Sequence, residues 1–360
     1  MKKHTAFEML HEVVTIPTAP FQEDRVSKFI TDWAALNNFD CVSDDVGNLF
    51  VSYGNTEHQK WILAAHMDHP GFQAMSQSGS IVTAWFRGGV KEEFFKGSHV
   101  VFFSRGEEVI GTIESIERDL PTKWFVCSIN VGEGKIVEPE SSGMWHLQPF
   151  VQSGDLISSR VCDDLGGVAA IMSVLENLKE KQTSCNCTAL FTRAEEVGFV
   201  GAIGACRGGH IPQSAHIIAV ETSKAQAGAG LGEGVVIRVG DKASVFTPAL
   251  TGYVEHVAKE LKERDKEFSF VRMLMPGGTC ESSVYCSCGF SATGLCLALG
   301  NYHNMGPEGK PAPEEISFSD YENLVKLMET VVSSDGNPQA VYDEWMNENN
   351  KRFDRLKEYL

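Results

Sequence analysis

Five residues of metal-ligand type lie far apart in this chain, each beside an apolar strand-like run. They are His66 in WILAAHMDHPG, Asp163 in SSRVCDDLGG, Glu196 in LFTRAEEVG, Glu221 in HIIAVETS and His303 in GNYHNMG. Two imidazoles and three carboxylates can hold a pair of divalent ions a few ångströms apart, with one carboxylate bridging them. Glu195, immediately before Glu196, adds the carboxylate that such chemistry needs as a base. Singly, each residue has a plainer role. Asp163 would cap the helix that follows it, and Asp164 would favour that helix's dipole. Glu195 and Glu196 would be solvated loop acids, and His66 an ordinary hydrogen-bonded histidine. The shared placement of all five outweighs these separate readings and predicts a metal-assisted hydrolase.

The elements that must position these residues alternate along the chain. Helical spacing covers 5–15 and 20–36, and CVSDDVGNLFVSYG and KWILAAHMDH read as strands. From about 160 the pattern resumes: helix from Asp164 to Lys179, strand TALFTRAEE, a small-residue helix in GFVGAIGACRGG and strand HIIAVETS. A helix over 250–265, strand FSFVRML and a helix over 319–333 follow. This order predicts an α/β core with a mixed, mostly parallel sheet flanked by helices. Strand ends in such sheets converge, so ligands remote in sequence can share one site. Between about 73 and 155 helical spacing vanishes, and short glycine-punctuated β segments such as SIVTAWFRGGV and SHVVFFSRGEEVIG take over. We expect a catalytic domain over 1–72 and 156–360, interrupted by a β-rich domain over 73–155. The aromatic and β-branched residues of SIVTAWF and HVVFF suit that insertion to self-association. The C-terminal PQAVYDEWMNENNKRFDRLKEYL reads as a charged amphipathic helix on the outside.

Composition narrows the partners. The 360 residues are 42% hydrophobic and 22% charged, with a formal net charge of −17. Such an excess repels polyanions, so nucleic-acid binding is not expected. No run reaches the roughly 20 apolar residues that span a bilayer, and MKKHTAFEMLHEVV reads as an amphipathic helix and not as an export signal. A cytoplasmic protein with reduced thiols is expected. The ten cysteines include Cys185/Cys187 and Cys286/Cys288, spaced C-x-C. On strands that spacing gives small buried residues rather than a structural zinc site.

The same motifs resemble, over nearly the whole chain, the glutamyl aminopeptidase and tetrahedral (TET) aminopeptidase family of dinuclear zinc exopeptidases. PFQEDRVSKFI, DDVGNLFVSYG, HMDHPGF, VCDDLGG, RAEEVGFVGA, PGGTCESS and NYHNMG carry the likeness. The resemblance implies one metal at His66, Asp163 and Glu221 and a second at Asp163, Glu196 and His303. It implies Asp68 as the group orienting His66, and Glu195 as the general base toward the attacking water. It implies two divalent ions, zinc first and cobalt or manganese as alternatives, a peptide substrate, and a homo-oligomer built through the β-rich insertion. The chain departs from the family at His69-Pro70, Leu165, Glu221 and Cys280-Glu281; Glu221 is still an oxygen donor, so metal binding and the base survive these changes, and it is the substrate pocket that they put in question. Two other readings stand beside the aminopeptidase. One is a related amidohydrolase or carboxypeptidase acting on N-acyl amino acids, with Arg193 or Arg207 receiving the substrate carboxylate. The other is a non-catalytic scaffold that kept the fold.

Overall fold

The computed structural model describes residues 4–54, 60–334 and 336–360. Among these, an eight-stranded mixed sheet forms the main layer. Its spatial order is Asp40–Ser43, Leu49–Tyr53, Cys187–Thr192, Trp61–His66, His216–Lys224, Ser291–Leu299, Val235–Gly240 and Phe270–Leu274. The third to sixth strands of that order are parallel. Being covered on both faces, they read as unbroken apolar runs rather than alternating ones, and Trp61–His66 is buried throughout.

Register then sets the site. Thr192 pairs with His66, and Ala219 pairs with Ala64. Counting two residues on from the second pair brings Glu221 level with His66, at the carboxyl ends of adjacent strands. Helix Leu165–Glu180 packs across the sheet through Val168, Ile171, Met172, Leu175 and Leu178. Its N-cap is Asp164, whose carboxylate accepts the Gly167 amide at 3.2 Å. The capping role therefore falls one residue after Asp163 and leaves Asp163 free for other work.

Two sequence expectations change. The second helix is Asp24–Leu36, starting later than position 20. Residues 20 and 21 form a turn instead, with Phe21 at φ +68 and the Gln22 amide on the Ala19 carbonyl, and Glu23 just after it is fully buried. Cys286 and Cys288 lie in and just after helix Glu281–Ser287 rather than on a strand, and Cys288 is exposed.

The chain between Gly71 and Trp145 closes into a six-stranded antiparallel barrel, ordered Gly71–Ser78, Ile81–Arg87, Phe125–Asn130, Glu107–Arg118, His99–Ser104 and Ser142–Trp145. Closure leaves no exposed edge. Its core is aromatic: Phe72, Phe86, Phe95 and Trp145 meet edge-on or tilted at centroid distances of 4.8–6.4 Å. Each such side chain contributes about 1.5–3 kcal/mol through burial. Strands Phe150–Ser153 and Leu156–Ser159 join Glu314–Ser317 in a separate three-stranded sheet. Helix Pro338–Leu356 packs on helix Pro248–Arg264 and leaves Trp345 and Phe353 more than half exposed. Among the described residues no helix is long and apolar enough to cross a membrane.

Candidate active site

The structure brings His66, Asp163, Glu195, Glu196, Glu221 and His303 into one buried cluster. His66 Nε2 lies 3.4 Å from Asp163 Oδ1 and 4.0 Å from Glu221 Oε1. His303 Nε2 lies 3.5 Å from Asp163 Oδ2 and 3.2 Å from Glu196 Oε1. One carboxylate thus presents an oxygen to each of two imidazoles. Asp163 Oδ1, Glu196 Oε1 and Glu221 Oε1 are buried with no hydrogen-bond partner, a costly state that calls for an explanation. Donors bound to one tetrahedral ion at about 2.0–2.1 Å stand about 3.3–3.4 Å apart, close to most of these separations. His66, Asp163 and Glu196 offer ligand atoms within 4.8 Å of one another, as do His66, Glu195 and Glu221. Divalent cations therefore fit these residues.

The charges point the same way. Burial pushes the Glu221 carboxyl up to about 8, only partly offset by His66, and raises Glu195 well above its ordinary value. Burial would also raise Asp163, but the facing His303 and His66 imidazoles reverse this and hold it below the usual carboxylate range. At His66 and His303 burial opposes the charged ring, and the surrounding carboxylates override it to raise both. Four buried carboxyl groups around two imidazoles are thus an excess of acids, two of them pushed toward their neutral forms, whose charged forms divalent cations would stabilise.

Each donor is steered by its neighbours. His303 gives its Nδ1 proton to the Gly89 carbonyl at 2.9 Å, which turns Nε2 toward the cluster. Gly89 follows the barrel strand Ile81–Arg87. The adjacent Gly88, at φ +115, passes so close to Pro70 that a Cβ would meet it at 2.6 Å. His66 directs Nδ1 at the Asp68 backbone carbonyl at 3.1 Å, with the Asp68 carboxylate at 3.4 Å. That carboxylate does something the sequence reading did not foresee: it accepts the amides of Glu195 and Glu196 at 2.9 and 3.1 Å.

Several residues here were missed. Glu23 Oε1 accepts the Ala194 amide at 3.1 Å, while its Oε2 binds Arg193 Nε and Nη2 at 2.9 and 2.7 Å. Arg193 is thereby committed to Glu23. Arg207 lines a separate groove with Asp44, Asp45 and His210. A cation that does approach the cluster is Arg238, 3% exposed, with Nη1 on Ser223 Oγ at 3.2 Å and Nε unpartnered. It lines a cleft of about 320 Å³ with Glu221, Lys224, Thr279, Cys280 and Tyr302. His69, one of the departures noted above, donates to the Asp163 carbonyl at 2.7 Å and contacts Asn304 Oδ1 at 2.9 Å. The nearest signal for the missed residues was a charged side chain beside an apolar run, which a surface acid gives equally well.

Buried imidazoles and carboxylates converging at parallel strand ends are the makings of a metal-dependent hydrolase. Residues 129–299 match the model of the M42 glutamyl aminopeptidase family, so this stretch of the chain is similar to that peptidase family. The fold is shared with TET1 peptidase of Pyrococcus horikoshii, at 22% identity and TM-score 0.76, over 91% of this chain and 99% of that one. It is also shared with a TET aminopeptidase from a marine-sediment Thaumarchaeota archaeon, at 18% identity and TM-score 0.78, over 94% and 99%. An aminopeptidase of Desulfurococcus kamchatkensis matches at 19% identity and TM-score 0.75, over 93% and 96%.

Proposed function

We propose that this chain is an aminopeptidase that holds two divalent metal ions, one at His66, Asp163 and Glu221 and one at Asp163, Glu196 and His303. The observation that carries the reading is Asp163, whose two oxygens face imidazoles from different elements at 3.4 and 3.5 Å. Such ions, when bound, supply the Lewis acidity that polarises a peptide carbonyl and makes water nucleophilic near neutral pH. Zinc suits this mixed donor set, with cobalt or manganese as alternatives. Glu195 accepts the attacking water's proton and returns it to the leaving amine. Asp68 holds the Glu195 and Glu196 amides, so base and donor keep a fixed spacing.

The acidic cluster also suits a substrate's free ammonium group. Peptides with a free N-terminus are expected to be cleaved, and the same peptides acetylated at the N-terminus to resist. The second reading, hydrolysis of N-acyl amino acids, needs a cation for the substrate carboxylate, and Arg238 in the cleft beside Glu221 favours it to that extent. Faster turnover of N-acetyl amino acids than of free aminoacyl substrates would establish that alternative and remove the first.

Assembly is part of the proposal. The P. horikoshii TET1 peptidase can form a tetrahedron or a large octahedral shell, and the barrel inserted here is the surface we assign to self-association. Light scattering of the full chain at micromolar concentration is expected to give an oligomer, and a monomer there would end this assignment.

A further inference from the structure

The most unusual backbone in the site belongs to His303. It sits in the left-handed region at φ +56, between Asn301 at φ +50 and Asn304 at φ +59. Non-glycine residues persist there only where surrounding contacts over-determine them. The ring is steered by Gly89, but the backbone is held from elsewhere. Glu314, first residue of its strand and fully buried, accepts the His303 amide on Oε1 at 2.8 Å. Its Oε2 accepts the amides of Cys162 at 2.8 Å and Asp163 at 3.0 Å.

Both Glu314 oxygens are thus spent on three backbone donors, which leaves this carboxylate a clamp rather than a ligand. It joins the segment carrying the bridging Asp163 to the segment carrying His303. These segments are about 140 residues apart in sequence, and they meet because Glu314 pairs with Ser159 beside the chain leading to Asp163.

We infer that Glu314 is the positioning residue that sets the spacing between Asp163 and His303, and so selectively tunes the second metal position; this rests on the two-metal reading above. The selectivity follows from redundancy. Asp163 is also held through its carbonyl by His69 at 2.7 Å, and His66 lies on a buried strand with its ring on the Asp68 carbonyl. The His303 backbone, by contrast, is held at its amide by Glu314 Oε1 at 2.8 Å, and its ring by the Gly89 carbonyl at 2.9 Å.

The test is a stepwise Zn²⁺ titration of metal-stripped Glu314→Gln against wild type, followed by calorimetry. Co²⁺ loading is run in parallel, because its visible absorption reports each site's geometry. Loss of a partner that orients a metal ligand typically costs 10–100-fold in metal affinity. We expect a loss of that size for the second ion, with the first ion bound within about threefold of wild type. Equal weakening of both ions, or no change in either, would overturn the inference. If the glutamine variant fails to fold, Glu314→Asp keeps the charge but retracts it by one methylene. It should alter the cobalt spectrum only as the second equivalent is added, and an unaltered spectrum overturns the inference as well. Wild type binding one ion or none would instead sink the two-metal reading, before any variant is compared.

Discussion

The two halves of the site are built in different ways. His66 and Glu221 stand on adjacent buried parallel strands, where hydrogen-bonded register fixes their relative height. Glu195, Glu196 and His303 stand on loops in which Ala194, Phe199, His303 and Asn304 all have positive φ. The strand half needs little beyond its sheet. The loop half is tied down by buried carboxylates that bind backbone amides: Glu23 on Ala194, Asp68 on Glu195 and Glu196, Glu314 on Asp163 and His303. Regular elements position side chains by their own geometry, whereas loops need supporting contacts to do the same.

The largest effect should come from the loop half's reactive group. Glu195→Gln is expected to lower kcat by about 10²–10⁴-fold with metal content unchanged, because the amide cannot take the water's proton. Metal analysis is essential here, since Glu195 also lies within ligand distance of His66 and Glu221. Loss of an ion in the variant would make Glu195 a ligand and not the base.

Next comes the tie beneath it. Glu23→Gln leaves Arg193 without its counter-charge and weakens the Ala194 anchor, while touching no ligand. A misplaced reacting group can cost up to about 100-fold in rate, so kcat should fall with KM nearly constant. Unfolding experiments should also show a stability loss of about 1–3 kcal/mol. A variant with wild-type kcat would mean that the loop holds its shape without Glu23, and the contrast between the halves would weaken.

A last effect, on metal-free stability and not on turnover, sharpens the strand half. The Glu221 carboxyl rises from an ordinary 4.5 to about 8, chiefly through burial, and burial likewise brings Glu281 to about 7. Between pH 4.5 and 8 the native metal-free protein therefore binds more protons than the unfolded chain, so its stability falls as pH rises through that window. The slope is at most roughly 1.4 kcal/mol per pH unit for each proton. Urea unfolding of chelator-treated protein at pH 5, 6.5 and 8 measures it, and the slope should flatten once zinc is added. Stability that rises with pH would show that these carboxyls are not proton-loaded when metal-free.

The same contrast explains what the sequence could reveal. WILAAH, CTALFT and HIIAVETS announced buried parallel strands because their apolar runs are continuous, and the α/β class followed. The donors were conspicuous because each ended or flanked such a run. The ties were not. Glu23 looks like an acid at the head of a helix, and Glu314 like one of two charges in PEEIS. Their partners are up to 171 residues away in sequence, and they bind backbone amides, which have no side-chain signature. Periodicity reports which face of an element is buried, but it is silent on which buried acid will meet which amide.

The Gly89 carbonyl has a consequence for how this molecule can vary. An inserted barrel attached only by its entry and exit strands could be trimmed, exchanged or lost as a cassette. Here the turn after its second strand orients the imidazole of His303, and that turn passes Pro70 at a distance that only glycine tolerates at Gly88. Host and insert are therefore mechanically interlocked at this hydrogen bond, as they also are where Arg25 donates to Ser142 Oγ and to the Phe103 carbonyl. A graft of a foreign barrel would have to reproduce the Gly89 oxygen before it could reproduce the enzyme.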